Sequence, residues 1–108
     1  MSNDIIIECI SIITSELPLL RDRLGITQKE LALYIGISRQ SLIEIEHKNR
    51  KTTRSIMISL ITFFSFREET VRILLEKGLY NNDFVKELGY NSDFLIKMYG
   101  IKDGIVDE

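Results

Sequence analysis

Arg39 and Gln40 stand side by side, with Glu44 one helical turn further along the chain. A guanidinium offers paired donors, and a primary amide offers a donor beside an acceptor. Arg39 therefore matches the exposed edge of guanine and Gln40 that of adenine, while a Glu44 carboxylate can accept from cytosine N4. His47, Lys48, Asn49, Arg50 and Lys51 follow directly, with Arg54 beyond two threonines. Long cations and small polar groups outside a helix suit phosphate oxygens, which carry no base information. Taken alone, such a face and loop would be ordinary solvated surface; the elements around them decide the matter.

Thr27 to Glu46, TQKELALYIGISRQSLIEIE, reads as two short amphipathic helices joined by a tight turn. Leu31, Ile35, Ile37, Leu42 and Ile45 make one inward apolar surface across both halves. Ala32 stands where a larger side chain would hold the helices apart. Gly36 stands where the chain must leave the first of them in a left-handed conformation. Thr27 with Glu30 three residues on has the form of a capping box, and Ser38 is the expected N-cap of the second helix. Gln28 and Ser38 lie beside helix N-termini, where free N–H groups and the helix dipole favour a phosphate. Ser41 lies on the same polar side. The expected third helix, Ser38 to His47, turns Leu42 and Ile45 inward and Arg39, Gln40, Ser41, Glu44 and His47 outward. A small residue, a glycine turn and a cap at these offsets are the requirements of a DNA-binding helix-turn-helix.

From about Leu17 to Phe64 the chain resembles the lambda-repressor-like (Cro-type) helix-turn-helix regulators of bacteria and their phages. The matching residues are Leu20-Arg21, Leu24-Gly25, Thr27-Gln28, Glu30-Leu31-Ala32, Gly36 through Gln40, and Ile45-Glu46. The resemblance covers roughly half the chain. It implies an all-α bundle with added N-terminal and C-terminal helices, double-stranded DNA as partner, a homodimer, and a third helix whose first turn enters the major groove deepest. It also implies a partly buried ion pair between Arg21 and Glu46, since relatives carry a basic residue and a glutamate there. Two positions depart from the family: Lys48 stands where glycine is common, and Thr52 where proline is frequent. Asn49 is the expected left-handed residue of that turn.

The net charge of −2 conceals an asymmetry. Residues 20–54 carry eight basic and four acidic side chains, and the remainder six basic and twelve acidic. A basic segment that coincides with the helix-turn-helix is the footprint of a nucleic-acid reader, and the acidic flanks are expected to face away from it. Catalysis is not indicated. There is a single histidine, no glycine-rich phosphate loop and no set in which a nucleophile, a histidine and an acid could serve one another. With Cys9 remote from His47 in sequence, neither a metal site nor a cofactor is expected. Apolar residues at 44% and charged ones at 28% fit a soluble globular protein. The lone cysteine, an acidic N-terminus and the absence of a run of ~20 apolar residues point to the cytoplasm.

The flanks read as packing elements. IIIECISII, within residues 4–17, suits a helix or a strand by composition, and a helix is favoured because no partner strand is visible. Pro18 is expected in the first turn of a new helix, Pro18 to Leu24. Thr53 is the expected cap of a fourth helix from Arg54 to about Ser65, apolar nearly all round and so in need of cover from both ends of the chain. A fifth helix is expected over Phe66 to Lys77, then short helical turns at Phe84–Leu88 and Asp93–Tyr99 and a frayed tail from Gly100. The division is thus 1–16 as a packing or dimerisation helix, 17–66 as the DNA-binding unit and 67–108 as a helical extension. An antitoxin-like role or a protein-interaction module on the same scaffold is the alternative function. A small-molecule effector is left open.

Overall fold

The computed structural model of the protein describes residues 2–79 together with two short paired segments at 101–102 and 105–106. The body is a bundle of five helices: α1 Ser2–Leu24, α2 Gln28–Ile35, α3 Arg39–Glu46, α4 Arg54–Ser65 and α5 Glu68–Glu76. The helical turns expected at 84–88 and 93–99 lie outside the described residues. The tail expected to fray instead pairs: β1 (Ile101–Lys102) and β2 (Ile105–Val106) run antiparallel, with Ile101 opposite Val106.

The main departure from the sequence reading is at Pro18. It does not begin a new helix but lies inside α1, which runs unbroken for 23 residues. The reason is visible in the buried stripe. Cys9, Ile13, Leu17 and Leu20 are all buried, and half-buried Leu24 extends the row. Their spacing keeps one face in register on both sides of the proline. A proline inside a helix costs about 3 kcal/mol, whereas each large apolar side chain buried contributes roughly 1.5–3 kcal/mol. Breaking the helix at 18 would throw one half of the stripe off the core. The N-terminal segment is accordingly helix rather than strand.

α4 is the hub. Met57, Leu60, Ile61 and Phe64 are fully buried, and both α1 and α5 pack along it, which supplies the cover its all-round apolar sequence demands. α5 is two residues shorter at its start than expected. Phe66 and Arg67 form the link instead, and the buried Thr70 hydroxyl donates to the Phe64 carbonyl at 2.7 Å across that turn. Cys9 is a small core residue: burial pushes its thiol up to about 11, and the neighbouring Glu8 carboxylate adds to the rise.

Candidate nucleic-acid interface

Local chemistry places the two central helices. Thr27 Oγ1 accepts from the Glu30 amide at 3.0 Å and Glu30 Oε1 accepts from the Thr27 amide at 2.9 Å, closing the capping box at the start of α2. Gly36, at φ 88°, leads the chain out of α2, and the Ile37 amide reaches back to the Ala32 carbonyl. A Cβ on Gly36 would meet nothing within 4 Å, so the requirement here is conformational, not steric crowding. Ser38 then caps α3, its Oγ accepting from the Ser41 amide at 3.0 Å. Leu31, Ala32, Leu42 and Ile45 are buried between the helices, with Ile35 and Ile37 half-buried beside them.

A charged clamp holds α3 against the other two helices. Arg21 Nε and Nη2 donate to the two Glu46 carboxylate oxygens at 2.7 and 3.0 Å, and Gln28 Nε2 donates to Glu46 Oε1 at 3.0 Å. The Glu46 side chain is only 4% exposed and that of Arg21 18%. One carboxylate at the last turn of α3 thus ties the ends of α1 and α2 to it, and the bidentate geometry fixes the angle of α3. Gln28, expected at a phosphate, spends its amide on this clamp.

With α3 so held, Ser38, Arg39, Gln40 and His47 are exposed, and Ser41, Ile43 and Glu44 are half-buried. Arg39 has no side-chain partner among the described residues. Glu44 is engaged: its carboxylate accepts from Arg50 Nε at 3.1 Å and from Gln40 Nε2 at 3.4 Å. Arg50 also donates through Nη1 to Ser41 Oγ at 3.0 Å, and Ser41 Oγ accepts from Ser38 Oγ at 2.9 Å. Glu44 therefore ties Arg50 and Gln40 together along the polar face of α3.

The loop after α3 departs from the expected path by one residue. Lys48, not Asn49, takes the left-handed conformation, at φ 60°. The Lys48 amide reaches the Ile45 carbonyl at 3.1 Å and the Asn49 amide the Glu44 carbonyl at 2.8 Å, the paired bonds that close a helix C-terminus. Lys48 Nζ donates to Ser15 Oγ on α1 at 2.7 Å, a residue the sequence reading did not single out because the two lie 33 positions apart. Lys51 and Arg54 are exposed, as is Asn49. Lys29 is exposed in the first turn of α2. It lines a cleft of about 630 Å³ with Arg21, Ile26, Thr27, Gln28 and Arg39, bringing three cations to the start of α2.

The helix-turn-helix family model matches residues 19–68, from the last turns of α1 to the start of α5. Residues 19–68 are a helix-turn-helix domain. No curated protein and no solved structure matches the chain significantly. The helix-turn-helix family is one of DNA-binding regulators, and exposed cations of this domain include Arg39 on α3 and Lys48, Arg50 and Lys51 on the loop behind it. Among the described residues, no group of three or more His, Cys, Asp or Glu side chains could hold a metal, and no helix is long and apolar enough to cross a membrane.

Proposed function

We propose that the protein is a sequence-specific double-stranded-DNA-binding transcriptional regulator, acting in the cytoplasm as a homodimeric repressor on a two-fold symmetric operator. The observation that carries this reading is Arg39 with Gln40. They are exposed side by side on the first turn of a recognition helix whose far end is locked by Glu46. Arg39 and Gln40 read purine edges, and Glu44 holds Gln40 and Arg50 in place. Ser38, Ser41, His47, Lys48, Asn49, Arg50, Lys51 and Arg54 face the phosphates, while Gln28 keeps its amide on Glu46. An eight-residue α3 is about 12 Å long and spans only a few base pairs, so useful specificity needs two copies on one site.

The apolar surface of the N-terminal half of α1 is largely used within one chain. Ile5, Ile6, Ile10 and Ile12 pack against the core, leaving Ile7 exposed. The dimer rests on the short reach of α3. A second reading, an antitoxin-like or protein-interaction role, is favoured by Leu33, Tyr34 and Phe66, which are exposed on α2 and just past α4. Selection of bound sequences from random duplex DNA separates the two. The regulator reading expects an enriched inverted repeat with half-sites about 34 Å apart, or a multiple of that. The interaction-module reading expects no enrichment at all.

A further inference from the structure

A second cleft, of about 360 Å³, opens between the N-terminal half of α1 and the loop joining α3 to α4. Its apolar lining is Ile7, Ile10 and Ile45; its cations are Lys48, Arg50 and Lys51; Ser11, Thr14 and Thr52 supply hydroxyls. No carboxylate lines it. Two of the cations are already held, Lys48 by Ser15 and Arg50 by Glu44 and Ser41. Lys51 has no partner among the described residues. Ile7 remains 65% exposed although it borders an apolar hollow.

We propose that this cleft binds a small amphipathic organic anion, a carboxylate carried on an unbranched apolar chain of medium length. The apolar residues would bury the chain, since an isoleucine left in water at the mouth of a concavity gains from cover. The three cations fix the sign of the head group, and Lys51 is the one free to meet it. Ser11, which is exposed and lines the same cleft, offers a hydroxyl donor to a carboxylate's second oxygen. The volume lies within the range of small-molecule sites, roughly 300–1,000 Å³. Its three cations are the ones given above to the phosphates, so the site is tested in the absence of DNA.

The test is calorimetric titration of the full chain with sodium octanoate, without DNA, beside n-octanol as the neutral analogue. Two variants accompany it at exposed positions: Lys51→Glu, which reverses the free charge, and Ser11→Phe, which fills the cleft from α1. Octanoate is expected to bind the wild type one to one and at least tenfold more tightly than octanol. Lys51→Glu should weaken it at least tenfold, and Ser11→Phe should abolish it. Amide shifts on octanoate addition should centre on residues 7–14 and 48–52. An absence of saturable binding, equal binding of octanol, undiminished binding to either variant, or shifts centred elsewhere would each overturn the proposal.

Discussion

Lys48 is a lysine where the backbone asks for glycine. α1, α2 and α5 close with paired backward bonds or a backward bond beside Gly25, Gly36 and Gly78, all at positive φ, and α3 closes the same way with Lys48 at φ 60°. A left-handed side chain costs roughly 1–2 kcal/mol, part of which glycine returns through its freer unfolded chain. Lys48→Gly is therefore expected to stabilise the fold by about 0.5–1 kcal/mol in urea denaturation, with Asn49→Gly giving no such gain. The clamp behaves differently. Removing either Arg21 or Glu46 leaves the other charge largely buried, so each single truncation should cost about 3 kcal/mol or more, while Arg21→Met with Glu46→Leu together should cost far less than the sum. Additive losses in that cycle would show that the pair is not coupled. Cys9 carries a pH dependence whose sign follows from its raised pKa: the folded state favours the neutral thiol. That contribution is full below pH 9 and is lost as pH climbs toward about 11. Wild type should thus lose stability over this window more steeply than Cys9→Ala, as read from melting temperature against pH.

At the scale of elements, α1 gives the sharpest prediction. Pro18 is exposed, so its ring packs on nothing that would be missed, and it denies the Thr14 carbonyl its usual intrahelical donor. Pro18→Ala should raise stability by roughly 1–3 kcal/mol, measured by denaturant midpoint; a loss would mean that the proline shapes α1. The helices around it show which parts of the fold a sequence can reveal. The caps at Thr27, Ser38 and Thr53 and the turn at Gly36 were legible because each joins a side chain or a backbone conformation to atoms within a few residues. Pro18 misled because the local rule is sound, yet burial of the stripe on both sides of it is decided by α3, α4 and α5. Which of Lys48 and Asn49 turns left-handed was not legible, since neither is glycine and both tolerate the turn only at some cost. The contacts of Lys48 with Ser15 and of Gln28 with Glu46 join residues far apart in the chain, and only the packed bundle brings them together.

For the whole molecule, function follows from how rigidly the bundle presents one short helix. The clamp of Arg21, Gln28 and Glu46 fixes the far end of α3, Glu44 and Ser41 hold Arg50 at its flank, and Ser15 on α1 holds Lys48 behind it. Arg39 on the helix and Lys51 on the loop are exposed and have no partners among the described residues. A division of labour follows from those two positions. Arg39→Ala should cost about 1–3 kcal/mol on the preferred site and relax one or two base positions. Lys51→Ala should weaken all duplexes alike and reduce the salt slope by about one unit. The direct measurement is sequence selection from random duplex DNA with wild type, Arg39→Ala and Lys51→Ala in parallel. An altered motif is expected for Arg39→Ala and the wild-type motif, more weakly bound, for Lys51→Ala. An unchanged motif for Arg39→Ala with an altered one for Lys51→Ala would contradict it.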